Sequence, residues 1–161
     1  MARIREKQGF TLIELLVVVG IVGLLAAVVL VSLGRAKKEG NDAAVKTNLH
    51  TVVNQAELFY SDHNSYLPAG GSAIAVTSPC PTYISGGTNM FTNNKTLADA
   101  LAEAVSVGDG SACYNSANAW AVAVGLESNV NTSWCIDNSG AARAVNSAPG
   151  SAINPLTFVC N

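Results

Sequence analysis

The chain has 161 residues, a net charge of −2, and 49% hydrophobic but only 12% charged side chains, about half the charged fraction usual for a soluble domain. Past residue 63 the only bases are Lys95 and Arg143, against Asp99, Glu103, Asp109, Glu127 and Asp137. That half therefore lacks the makings of a phosphate-tracking face, and direct nucleic-acid binding by it is excluded as a working expectation.

Residues 1–9, MARIREKQG, are short and basic, with Arg3, Arg5 and Lys7 against Glu6. An almost wholly apolar run follows over residues 10–34. About 20 helical residues at ~1.5 Å each cross the ~30 Å hydrocarbon core, so the run predicts a membrane-spanning helix. The basic start argues for a cytoplasmic N-terminus, although Arg35, Lys37 and Lys38 on the far side weaken the asymmetry. The run is longer than the apolar core of a secretory signal peptide, and no clear Ala-x-Ala follows it. Secretion with removal of the whole run is thus the second reading.

One acid, Glu14, stands near the start of the run. A carboxylate at the centre of a span costs about 2.5–3.5 kcal/mol on insertion scales, and less near an interface. It either sits at the membrane edge, snorkelling or protonated, or meets a positive group from another chain. A free α-amino group made by cleavage nearby would serve.

The stretch QGFTLIELLVVVGIVGLLAAV resembles the type III signal sequence of bacterial type IV pilins and pseudopilins. The shared motif is a short basic leader ending in Gly, then Phe-Thr-Leu-Ile-Glu-Leu-Leu, then an unbroken apolar helix. The resemblance implies that a prepilin peptidase cuts between Gly9 and Phe10 and that Phe10 is then N-methylated. It implies that Glu14 pairs with the Phe10 ammonium of a neighbouring subunit as helices pack into a filament core. Removing one partner of a low-dielectric ion pair is costly, so Glu14 would act as a register device. The chain departs from many major pilins in having no proline before Pro68. Gly20 and Gly23 are the weak points within the span, either melting locally or allowing close helix packing.

Beyond Gly34 the sequence turns polar but keeps helical period. Val45, Leu49, Val52, Val53, Ala56, Phe59 and Tyr60 form one apolar stripe. A single helix can therefore run from about residue 10 to about residue 62, with Gly40-Asn41 its expected bend. FYSDHNSYLP, residues 59–68, ends it; this stretch also resembles the end of the long helix in pseudopilins. Residues 69–95 are rich in Gly, Ser, Thr, Asn and Pro and read as a long loop. Thr96 is expected to cap a short helix, TLADALAEAV. Residues 119–128 and 133–137 read as strands, and Asn138-Ser139-Gly140 as a tight turn into a third strand, AARAV. A long helix, a loop and an antiparallel meander match the layout of a pilin head.

Cys80, Cys113, Cys135 and Cys160 all lie beyond the apolar run, with no Cys-x-x-Cys spacing. Zinc ligands usually come in close pairs, so two disulfides are expected instead. Three connectivities are possible. Cys113 and Cys135 have the smallest gap and are expected to flank one strand, which favours Cys113–Cys135 and leaves Cys80–Cys160. No metal, cofactor or catalytic residue is expected. His50 and His63 have no cysteine nearby, no Gly-x-Ser-x-Gly appears, and Asp109-Gly110 and Asp137–Gly140 read as turns with too few carboxylates for calcium.

The expected fold is α+β: a leader over 1–9, a transmembrane and filament-core helix over 10–34, and a pilin-like head over 35–161. In that head the amphipathic half of the helix packs on a small antiparallel β-sheet. The expected function is structural: an inner-membrane, single-pass subunit extracted into a surface or periplasmic filament. Its implied partners are other pilins or pseudopilins, the prepilin peptidase, the membrane and an inner-membrane assembly platform. The alternatives are a membrane-anchored binding module that never assembles, or an exported domain stapled by disulfides. The N-terminus does not separate adhesion, motility, type II secretion and DNA uptake.

Overall fold

A computed structural model describes residues 9–161. Helix α1 spans Leu12–His63 and passes through Gly40-Asn41 without interruption. With no proline in the way, nothing removes a backbone donor along its length. It stops at Asn64, which adopts a φ of 52°, a left-handed conformation that asparagine tolerates better than most residues. The chain divides into two compact units between Lys37 and Lys38.

In the second unit the expected stripe is the buried one. Val45, Leu49, Val52, Ala56 and Phe59 are buried, and Val53 and Tyr60 pack against them. They meet a five-stranded antiparallel sheet in the order β1-β2-β3-β4-β5. Its strands are β1 (Ile74–Thr77), β2 (Ser111–Asn115), β3 (Trp120–Gly125), β4 (Ser133–Asp137) and β5 (Ala142–Val145). Strand alternation gives the sheet two unlike faces. Cys113, Trp120, Val122, Val124 and Ile136 join the core that includes α1 and Leu97, Leu101 and Ala104 of α3 (Lys95–Val107). Ala112, Ala121, Ala123 and Cys135 face the other way, under Ala152, Ile153 and Cys160. The alanines have little side chain to hold the backbones apart, so the C-terminal segment lies close on that face. That segment includes the short helix α4 (Pro149–Ala152).

Two acids fix this architecture. Asp42 of α1 is buried, and its carboxylate accepts from the backbone N–H groups of Glu127 (2.8 Å) and Ser128 (3.4 Å) and from the Ser128 hydroxyl. Asn41 donates to Glu127 Oε2 at 2.8 Å. Together they clamp the helix to the segment after β3. Asp137 closes the β4–β5 turn by accepting from Ser139 N (2.8 Å) and Ser139 Oγ (2.6 Å), while its other oxygen accepts from Cys160 N (2.8 Å). The Asp137–Gly140 stretch is thus a turn, as expected, and also a latch for the C-terminus.

Several local expectations are corrected. Residues 69–95 are not one loop, for they contain edge strand β1 and helix α2 (Met90–Asn93). Strand β2 had no expected counterpart. Helix α3 is capped by Asn94, whose side chain accepts from Leu97 N, and not by Thr96. The disulfides are Cys80–Cys113 and Cys135–Cys160, not Cys113–Cys135 and Cys80–Cys160. The register explains why. Cys113 lies opposite Val122, whereas Cys135 lies opposite Ala123, the next residue of β3. The two cysteines therefore point to opposite faces, on strands separated by β3. At ~4.8 Å per strand spacing, their backbones stand well beyond the reach of a disulfide. Cys80 instead follows β1, which pairs with β2 at Thr77↔Cys113, and its N–H donates to Ser111 Oγ at 3.1 Å. Cys160 is brought to β4 by the Asp137 latch and by Arg143, which donates to its carbonyl.

Candidate functional site: the start of the apolar helix

Gly9 and Phe10 precede α1 in non-helical conformation, with Phe10 88% exposed. The helix then begins on a capping box. Thr11 N donates to Glu14 Oε2 at 2.9 Å and the Thr11 hydroxyl donates to the same oxygen at 2.8 Å. In return Glu14 N donates to Thr11 Oγ1 at 3.3 Å. Glu14 thus lies in the first turn of α1, where a carboxylate is favoured by the dipole and satisfies amide donors that have no helical partner. The role of Thr11 was missed from sequence. Its signal was the Thr-x-x-Glu spacing ahead of an apolar run.

From Leu12 to Leu33 every large apolar side chain of the helix is exposed. This stretch has an 18-residue window of mean hydropathy 3.0 with none of it buried, enough to cross a membrane by length and composition. An uncovered apolar surface of this extent marks a place that lipid or other chains must cover. Gly9, Phe10 and Glu14 are thus brought together at one end of an unpartnered apolar rod.

The remaining polar candidates have local partners. His50 Nδ1 lies 3.2 Å from Asn54 Nδ2, and His63 Nδ1 lies 2.9 Å from the Phe59 carbonyl, its ring stacked on Phe59. Among the described residues no cluster of three or more His, Cys, Asp or Glu is arranged to hold a metal ion.

The model of the prokaryotic N-terminal methylation motif matches residues 4–30, the segment that holds the capping box and most of the rod. The chain thus carries the methylation motif at the head of a pilin-like fold and is similar to type IV pilins and a type II secretion component. Among its curated relatives, this pilin-like chain is 44% identical over 72 residues to the type IV wide pilus major component PilA4 of Thermus thermophilus, covering 45% of the chain and 55% of that protein. It is 36% identical over 61 residues to the type IV major pilin protein PilA of Myxococcus xanthus, covering 38% of the chain and 28% of the relative. It is 32% identical over 80 residues to the type II secretion system core protein G of Vibrio cholerae, covering 49% and 55%. The pilin-like chain therefore spans about half the length, or less, of each of these relatives. No solved structure matches it.

Proposed function

We propose that the protein is a structural, non-catalytic subunit of a type IV pilus or pseudopilus. A prepilin peptidase cuts it between Gly9 and Phe10 and methylates Phe10. The subunit waits in the inner membrane with its head outside the cytoplasm, and an assembly platform extracts it into a filament. Residues 10–34 then become the filament core, and residues 35–161 form the head. The observation that carries this reading is the exposed apolar helix that opens on a Thr11–Glu14 capping box beside a non-helical Gly9-Phe10.

The physical logic is economical. Apolar surface is worth about 25 cal/mol per Å² when removed from water, so the exposed rod must reside in lipid or among other rods. Lipid and a helix bundle are nearly equal hydrophobic solvents, so transfer between them is decided by packing and polar pairing. Glu14 supplies the pairing, because the ammonium of Phe10 on a neighbouring subunit matches it in charge. The names of the relatives describe filament and secretion-system components, which supports the same reading.

The test is the intact mass and N-terminal sequence of the chain recovered from sheared filaments. The expected product begins at methylated Phe10. Gly9→Val should stay uncut, because a branched side chain crowds the scissile bond. Equal processing of the two chains, or filament protein that retains the leader, overturns the proposal.

A further inference from the structure

We infer that strand β5 of one head pairs edge to edge with strand β1 of a second copy of this chain, so that neighbouring heads share one hydrogen-bonded sheet. The inference rests on the filament reading proposed above, and names a contact between heads that goes with it.

The edge itself is the first argument. Strand β5 closes one side of the sheet. Asp137 N donates to Ala141 O across the turn that precedes it. An antiparallel ladder alternates bonded and non-bonded pairs. Arg143 and Val145 therefore bond towards β4, and the N–H and C=O groups of Ala142 and Ala144 face away. Among the described residues nothing bonds to those groups, and both alanines are exposed. Natural edges are usually guarded by a proline, a bulge or a free charge. Strand β5 has no proline and keeps a regular register with β4, and the Arg143 guanidinium is folded back onto the Cys160 carbonyl. The core also stops short of this strand. Ala142 and Ala144 stand opposite Ile136 and Trp134, on the α1 side of the sheet, yet remain uncovered.

Charge selects the partner. Two cations, Arg143 and Lys46, flank the β5 edge. Lys46 Nζ lies 4.9 Å from the ring centre of Trp134, the residue opposite Ala144. A two-fold β5–β5 pair would set Arg143 against Arg143, and like charges directly opposite one another are destabilising. The other edge, β1, reads Ile-Ala-Val-Thr and carries no charge. Helix α3 lies against the chain that leaves β1, with Lys95 Nζ 5.9 Å from the ring centre of Tyr83. It carries exposed Asp99 and Glu103 against Lys95, a net negative flank to meet a net positive one.

Direction is the third. Antiparallel strands in the order β1 to β5 leave the two edges running the same way. Copies that share one polarity, as in a filament, therefore bring β5 of one beside β1 of the next in parallel. A heterologous contact of this kind propagates from copy to copy, whereas a two-fold pair stops at a dimer. The bulge in β1 keeps the ladder short, so the contact needs the apolar helices to hold the copies at high local concentration.

The experiment uses the full chain in sheared filaments. Ala75→Cys/Ala144→Cys filaments are treated with a short bismaleimide, which the four native cysteines, paired in disulfides, do not consume. The dissolved product should be a ladder of covalent dimers, trimers and higher species, and each single-cysteine variant should stay monomeric. In wild-type filaments the amides of Ala142 and Ala144 should exchange at least about tenfold more slowly than in detergent-dispersed subunits. Ala144→Pro removes an outward N–H and leaves the ladder with β4 intact. It should fold normally by Trp134 fluorescence and enter filaments about threefold to tenfold less, as the loss of one backbone bond implies. If that variant misfolds, cross-linking and exchange decide between them. No ladder from the double variant, or unchanged exchange at Ala142 and Ala144, overturns the β5–β1 junction alone. Dimers from Ala144→Cys by itself overturn it in favour of the two-fold pair. Processed wild type that forms no filament overturns the filament reading, and the junction with it.

Discussion

Replacing both Cys135 and Cys160 by alanine should loosen the C-terminal segment and destabilise the head by about 3–4 kcal/mol. Both cysteines are buried, and the bridge closes 25 residues. A loop of that length costs the unfolded chain roughly 3.5 kcal/mol of closure entropy on the chain-entropy account. The backbone contacts of Cys160 with Asp137 and Arg143 do not use its side chain, so they survive and limit the damage. Removing Cys80–Cys113 should cost slightly more by the same account, because it closes 33 residues. Denaturant unfolding of the full chain in detergent reads both values through the fluorescence of Trp120 and Trp134. Single Cys113→Ala tests the pairing itself, since the freed thiol should then be Cys80. A freed Cys135, or a loss below about 1 kcal/mol in the Cys135→Ala/Cys160→Ala variant, refutes the reasoning from strand register.

Leu49 is fully buried where α1 meets the sheet, so Leu49→Ala should cost about 2–5 kcal/mol in the same unfolding experiment. Asp42→Ala strips the acceptor from Glu127 N, Ser128 N and Ser128 Oγ; a loss of about 2–4 kcal/mol is expected, with faster hydrogen exchange at residues 127 and 128. Tyr66 donates to Glu57 at 3.1 Å, and burial, followed by the Glu57 carboxylate, raises its pKa above the usual 10.0. The folded state therefore holds that proton more tightly. The associated stability is complete below pH 10 and is lost as pH climbs through the raised value; Tyr66→Phe should flatten this alkaline decline.

The long helix was legible because its signal is local. A 3.6-residue stripe from Val45 to Tyr60 with no proline leaves one solution, and the buried residues of α1 follow it. The hairpin of β4 and β5 was legible for a similar reason, since Asn138-Ser139-Gly140 marks the turn. Strand β2 was not. Its sequence, SACYN, has weak strand preference, and it is a strand because β1 and β3 pair with it on either side. Edge strand β1 hides among Gly, Ser and Thr for the same reason. Missing β2 also misplaced the disulfides: with Cys113 unassigned, nothing indicated that it and Cys135 face opposite ways. At the candidate site the pattern Gly-Phe-Thr-Leu-Ile-Glu was readable residue by residue. The capping bond from Thr11 to Glu14 needed the helix start to be fixed first.

The measurement that bears most directly on the filament reading is the ratio of sheared-filament to membrane-bound protein for wild type, Glu14→Leu and Glu14→Asp, with leader processing followed on the same gel. Glu14→Leu makes the span more apolar, so insertion should be unchanged or better. Filament incorporation should collapse, because the Phe10 ammonium of a neighbour is left without a partner in a low-dielectric core. Glu14→Asp should fall between the two, keeping the charge with a reach one methylene shorter. A Glu14→Leu chain that is cleaved normally and enters filaments as well as wild type would contradict the account, leaving Glu14 as a tolerated acid at the membrane edge.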